Sequence, residues 1–171
     1  ESETANQMLS RLSDFLRYSL YKDPIHKVAL SQEIYAASLY LEIEKVRFAE
    51  RLSIEYDIAS NTADALVPSL ILQPLIENAI KYAVARSVTG GLIAIRARKF
   101  GHDLLIEVAD NGPGMPQQTE QKEHSGVGLV NTRERLAALY DRNFSLVLTD
   151  NQPQGVKVNI RIPFEVEAEH E

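Results

Sequence analysis

The chain has 171 residues, 44% of them hydrophobic and 25% charged, which suits one globular domain with a core large enough to need no staples. It contains no cysteine, excluding a disulfide framework and thiolate metal sites, and its net charge of −6 with no dense basic run argues against a nucleic-acid surface. No apolar run approaches the roughly 20 residues that a membrane-spanning helix requires.

The chain opens on Glu1 with no signal-peptide pattern behind it, so a piece of a longer protein is expected. Residues 1–21 read as a helix, with Ala5, Met8, Leu12 and Phe15 at coiled-coil seam spacing. One helix packing on its own domain would show the same stripe. Residues 22–30, with Pro24, form a break. Ser31 is placed to cap a second helix running to about Glu50, with Glu33 in its first turn to suit the helix dipole. From Leu52 the period changes to two, and Leu52, Ile54, Tyr56 and Ile58 alternate with polar residues as in a half-buried strand. Residues 60–64 form a polar loop.

Residues 70–84 are the stretch around which the rest of the chain is organised. Leu72, Leu75, Ile76, Ala79, Ile80 and Ala83 make an apolar stripe at helical period. Pro74, Glu77, Asn78, Lys81 and Tyr82 fall on the other side. Asn78, Lys81 and Tyr82 are three and four residues apart, so an amide, an ammonium and an aromatic ring emerge together. That patch suits a metal-bound phosphate and a flat base, although a solvated helix face could carry the same residues. Pro68 suits the first turn of this helix, whereas Pro74 should remove a hydrogen bond and bend it.

Beyond Gly90 and Gly91, residues 92–99 and 104–108 alternate around a short turn, a β-hairpin. Residues 110–125 are the longest irregular segment, polar and rich in glycine and proline, with the character of a functional lid. A helix over 129–140 comes next, then strands over 144–149 and 156–162 joined by a turn at 151–155, and a frayed acidic tail. Paired antiparallel strands with segregated helices predict an α+β two-layer sandwich with a mixed, mostly antiparallel sheet and a preceding N-terminal helix.

Two glycine clusters flank the irregular segment. Asp110-Asn111-Gly112-Pro113-Gly114 leaves a strand, and Gly126-Val127-Gly128-Leu129 opens a helix. Glycines at a helix entrance let backbone amides approach a phosphate, and the helix N-terminus favours its charge. An Asp at a strand end can accept a hydrogen bond from an exocyclic amine. Either cluster alone is compatible with an ordinary turn, but three boxes in order at strand–helix junctions are far less expected by chance.

ENAIKYA at 77–83, DNGPGM at 110–115 and GVGLVNTRERL at 126–136 resemble the N, G1 and G2 boxes of the GHKL ATP-binding superfamily. LSDFLRYSLY at 12–21, YLEIEKVRFAERL at 40–52 and VPSLILQPLIENAIKYAV at 67–84 resemble, more closely, the Lyt-type sensor histidine kinases. The resemblance implies a Bergerat ATP-binding fold over 31–165. Residues 1–30 would be the end of a dimerisation helix with its linker, and 166–171 the frayed tail. It also implies ATP and Mg²⁺, with Asn78 holding the metal, Lys81 near the phosphates, Tyr82 against the adenine and Asp110 on its N6 amine. Gly112 and Gly114 would shape the first turn. Gly126, Val127, Gly128 and Leu129 would shape the lid hinge and phosphate cradle, and 115–125 would be the lid.

The resemblance further implies the cytoplasmic part of a membrane-anchored sensor, a homodimer in the full-length protein and a response regulator as phosphate recipient. Nothing matches the family's phosphoacceptor motif: His26, His102, His124 and His170 all fall in loops or the tail. Superfamily members that hydrolyse ATP outright carry a glutamate four residues before the magnesium asparagine, and Pro74 stands there. Glu77 is the nearest candidate catalytic carboxylate, although one residue from Asn78 it points about 100° away around a helix. Some relatives place a threonine after the last glycine, where this chain has Val156. The leading expectation is a histidine kinase catalytic domain acting on an upstream histidine; a self-contained GHKL ATPase or serine kinase is the alternative.

Overall fold

The computed structural model describes residues 2–20, 26–114 and 127–169. In chain order its elements are α1 (Ser2–Leu20), β1 (Lys27–Ala29), α2 (Leu30–Phe48), β2 (Leu52–Ile58), β3 (Leu66–Pro68) and α3 (Leu72–Ala79). A π-helical turn (Ile80–Val84) continues α3, and β4 (Gly91–Phe100), β5 (Asp103–Asp110), α4 (Val127–Tyr140), β6 (Ser145–Asp150) and β7 (Val156–Pro163) complete the order. The expected lid over 115–125, Gly126, His124 and His170 lie outside the described residues.

Five strands form one sheet in the order β2-β4-β5-β7-β6, with β2 and β4 parallel and the other neighbours antiparallel. The alternation legible in the sequence selects its faces. Ile93, Ile95 and Ala97 of β4 turn inward, as do Leu104, Ile106 and Val108 of β5 and Val158, Ile160 and Ile162 of β7. They meet Leu41 of α2, the buried stripe of α3 and Leu136 of α4 in one core. The outer face carries cross-strand ion pairs, Arg96–Glu107 and Arg98–Asp57 at 2.5 Å each and Arg161–Asp103 at 3.4 Å. Such exposed pairs add little stability but keep that face wet. The result is the expected α+β two-layer sandwich, preceded by a helix.

The boundaries of α3 depart from expectation. Pro68 ends β3, which pairs antiparallel with β1 at the edge of the expected break, instead of opening the helix. Leu70, with φ of 60°, makes the sharp corner, and the helix begins at Leu72. Pro74 therefore falls in the first turn, where its missing N–H would have had no intrahelical partner, and the predicted bend has no cause. Every member of the apolar stripe from Leu72 to Ala83 is buried. At α2, Ala29 takes the N-cap position with no side-chain bond, so Ser31 is not the cap. Glu33, expected to serve the dipole of its own helix, is 2% exposed.

The seam side of α1 lies against α2. The ring centroids of Phe15 and Tyr40 are 5.8 Å apart, and Arg11 pairs with Glu42 at 3.5 Å. Leu9 and Leu16 point away and stay exposed.

Candidate functional site

A cleft of about 520 Å³ opens between the inner face of the sheet and the helices α3 and α4. Its apolar walls come from Val108, Leu146, Leu148 and Val158 on the strands and from Leu75, Ala79 and Leu129 on the helices. Asn78, Tyr82 and Asp110 converge on it. A largely apolar slot with a few placed polar groups is the usual form of a small-molecule site.

Asp110 owes its position to the period of β5. The alternation that turns Leu104, Ile106 and Val108 inward turns residue 110 inward too, opposite Ile93 of β4. Its Oδ1 accepts hydrogen bonds from the Gly112 amide at 2.9 Å and the Val156 amide at 3.3 Å. Its carbonyl accepts from Asn151 Nδ2 at 2.7 Å. Burial pushes the carboxyl above the ordinary aspartate value, against the two amide bonds that favour its ionised form. Oδ1 is held by two N–H donors, and Oδ2 makes no bond among the described residues.

The turn between β6 and β7 braces this arrangement. Gly155 has φ of 115°, and a Cβ there would lie 1.9 Å from the Asp110 carbonyl oxygen, so only glycine fits. Gly112 is also close-packed, less tightly and on the helical side, where a Cβ would meet Ala83 Cα and Cβ at 2.8 Å. One backbone corner is thus clamped between the sheet and the π-turn.

On the helical wall the polar patch divides. Asn78 lines the cleft, and its Nδ2 is buried with no hydrogen-bond partner among the described residues. Tyr82 lines it four residues on, with Lys81 Nζ 5.0 Å and Arg86 Cζ 5.3 Å from its ring centroid. Lys81 itself is exposed and does not line the cleft. Glu77 is exposed and accepts a hydrogen bond from Gln73 Nε2 at 3.0 Å, outside the lining. The helix widens beyond Ile80, whose carbonyl accepts from Ala85 N at 2.9 Å, five residues on. Such π-turns change the phase of the residues beyond them and recur at functional sites.

Residues 63–166 match the profile of the histidine kinase-, DNA gyrase B- and HSP90-like ATPases, and residues 1–52 match a histidine kinase profile. The chain belongs to this ATPase family. It is 33% identical over 168 residues to the sensor histidine kinase BtsS of Escherichia coli, covering 98% of this chain and 29% of that protein. It is also 33% identical over 173 residues to the sensor protein LytS of Staphylococcus saprophyticus, covering 96% of this chain and 29% of that protein. It therefore spans about three tenths of the length of these relatives. The catalytic domain of histidine kinase ThkA shares the fold, with a TM-score of 0.64 at 18% identity over 81% of this chain and 95% of that one.

Within this ATPase fold the remaining box residues separate. Gly114 borders the cleft with φ of 95°. Val127 begins α4, and Gly128 lies one residue inside it, close to Pro74: a Cβ on Gly128 would be 3.4 Å from Pro74 Cβ. Leu129 is buried and lines the cleft. Arg133 and Glu134, which motif reading did not single out, line it as well. Helical spacing from Leu129 and Val130 would have found them, since residues four apart share a face. The sequence places Asn151 and Gly155 in a turn, with Gly155 just ahead of Val156, and nothing local marks them as a brace for Asp110. Their role depends on contact with Asp110 some 41 to 45 positions earlier, and no local pattern carries that. Val156, without the hydroxyl some relatives have, contributes its backbone amide to Asp110 and an apolar wall to the cleft.

Proposed function

We propose that this chain is the ATP-binding catalytic part of a two-component sensor histidine kinase, transferring the γ-phosphoryl of ATP to a histidine upstream of Glu1. The observation that carries the reading is the pairing of two unlike polar groups across one apolar cleft. Asp110 presents one carboxylate oxygen with no bond among the described residues, and Asn78 presents a buried amide nitrogen, a donor without a partner among them, which a phosphate oxygen would satisfy. A buried polar atom without a partner costs free energy, so the site is built for a ligand to complete.

The purine base would enter the apolar slot, with its exocyclic amine donating to Asp110 Oδ2 and Tyr82 against its edge. Asn78 would hold Mg²⁺ through its amide oxygen and donate from Nδ2 to a phosphate oxygen, whose charge the metal neutralises when bound. Lys81 would add positive charge near the phosphates. The backbone amides around Gly112, Gly114, Gly126 and Gly128 would allow close approach, with Val127 and Leu129 shaping the entrance of α4. The catalytic contribution of the chain is then positioning and electrostatic stabilisation, as phosphoryl transfer requires. The nucleophile would be a histidine imidazole. Glu77 would at most support the metal indirectly.

In this reading residues 1–30 are the end of a dimerisation helix and its linker, 31–165 the catalytic domain and 166–171 the tail. The full protein would be a homodimer anchored in a membrane, with this part in the cytoplasm and a response regulator as phosphate recipient. Pro74 stands against the self-contained ATPase alternative, because it has no titratable group and packs beside Gly128. Calorimetric titration with ATP, with and without Mg²⁺, tests the reading. Metal-dependent binding that Asn78→Ala reduces to the metal-free affinity is expected, with turnover near background until the upstream histidine segment is supplied. Brisk hydrolysis abolished by Glu77→Gln would instead establish the ATPase alternative.

A further inference from the structure

Glu33 is a buried carboxylate outside the nucleotide cleft, and its partners come from three separate helices. Oε1 accepts a hydrogen bond from the Tyr18 hydroxyl of α1 at 2.5 Å and from the Leu70 amide at 2.7 Å. The Leu72 amide, at the first residue of α3, and Arg135 of α4 both favour the charged form of the carboxylate. Arg135 in turn reaches Ser69 Oγ at 3.4 Å. The N-cap residue of α3, Ile71, supplies no side-chain bond to the helix end. A carboxylate borrowed from α2 therefore sits at the start of α3, holding the Leu70 amide just ahead of the N-cap, where the helix dipole favours negative charge. Leu70 adopts a left-handed corner beside it, a conformation that a leucine holds only when its surroundings enforce it.

The two helices reached through Glu33 are the two that wall the cleft, α3 with Asn78 and α4 with Leu129 and Arg133. The third, α1, contributes no residue to it among those described.

We propose that Glu33 is a positioning residue for the nucleotide site and the joint through which the docking of α1 sets the placement of α3 and α4. The inference rests on the nucleotide-site reading above for its functional consequence, and on the bonds of Glu33 alone for the mechanical one. Burial pushes the Glu33 carboxyl above the ordinary glutamate value, while Tyr18, Leu70, Leu72 and Arg135 all favour its charged form. Drawing Tyr18 away leaves that buried charge less compensated. The cost falls on the bonds that remain, those to α3 and α4. By linkage, a ligand that holds α3 and α4 in place must favour the docking of α1 by the same factor.

The test uses amide hydrogen exchange across 70–79 on the whole chain, without nucleotide, in Tyr18→Phe, Glu33→Gln, Glu33→Ala and Arg11→Ala. Arg11→Ala is the control, because it breaks the α1 contact to Glu42 and leaves Glu33 untouched. Tyr18→Phe should speed exchange at these amides about threefold or more, a typical size for coupling between sites, while Arg11→Ala leaves it unchanged. Glu33→Gln keeps an oxygen acceptor and should fall between wild type and Glu33→Ala. ATP affinity measured on the same variants should follow the same order, and the double variant Tyr18→Phe with Glu33→Ala should bind no worse than Glu33→Ala alone. Exchange unchanged by Tyr18→Phe, or raised equally by Arg11→Ala, overturns the proposal. Failure of the wild type to bind ATP would overturn the nucleotide reading instead, and exchange in the free protein still decides the role of Glu33.

Discussion

The two polar walls of the cleft are built in opposite ways. Asp110 is over-determined: strand register aims it inward, two amides hold one oxygen, and Asn151 and Gly155 grip its backbone. Asn78 sits two residues before a helix changes from α to π, with a buried amide nitrogen that no described residue satisfies. The sheet wall is finished before any ligand arrives. The helical wall leaves one donor unpaired among the described residues, and an acceptor oxygen on a ligand would satisfy it. A preorganised wall reads the part of a ligand that does not change, and an unsatisfied wall gains most from the part that must be held for reaction.

The strongest way to break that contrast is at the brace. Gly155→Ala would force a Cβ into the Asp110 carbonyl at a positive φ, so a stability loss of about 3 kcal/mol or more is expected. Thermal unfolding should show a fall of roughly 6–12 °C for a chain of this size. A melting temperature within about 2 °C of wild type would mean that the corner relaxes freely.

Next comes the carboxylate itself. Asp110→Ala should weaken ATP binding about 10- to 100-fold and also lower stability by about 1–3 kcal/mol, because the amides of Gly112 and Val156 lose their acceptor. Asp110→Asn should separate the two effects: its oxygen still serves the amides, while its NH₂ opposes the ligand amine. Urea unfolding beside binding calorimetry checks both, and equal stability of the two variants would remove the bracing role.

Asn78→Ala should behave differently. Binding in Mg²⁺ should weaken about tenfold, while stability stays within about 1 kcal/mol, since the change deletes a polar atom that already lacks a partner. A large stability loss here would erase the distinction between the walls.

The smallest effect is the pH dependence. Because burial raises the Asp110 pKa, protonation sets in at higher pH than for an ordinary aspartate. The proton must go to Oδ2, since Oδ1 already accepts two N–H groups, and it turns the acceptor for the ligand into a donor. ATP affinity should therefore fall as pH drops through this raised value, by at most about tenfold per pH unit, and Asp110→Asn should flatten the slope. The sign of the stability linkage is opposite: a raised folded pKa means that protonating Asp110 favours the folded state, so this acid loss of affinity is not unfolding at that residue.

Elements whose causes are local were already legible in the order of the amino acids. The stripe from Leu72 to Ala83 is buried as its period required, the alternation in β4, β5 and β7 chose the inner face, and the expected two-layer arrangement followed from their order. The same alternation placed Asp110 in the cleft, and the spacing of Asn78 and Tyr82 put both on its wall. Contacts that depend on distant closure were decided by the packing. Pro68 became a strand end because β1 was there to pair with it, which moved Pro74 into a first turn where it does no harm. Glu33 was drawn from the dipole of its own helix into the interior by amides and a hydroxyl from other helices. Gly155 and Gly112 are held to glycine by backbone that arrives from far along the chain. Periodicity encodes which way a side chain points within its own element. Which donor or backbone atom it meets there is set only when the elements pack, because those partners lie outside any local window.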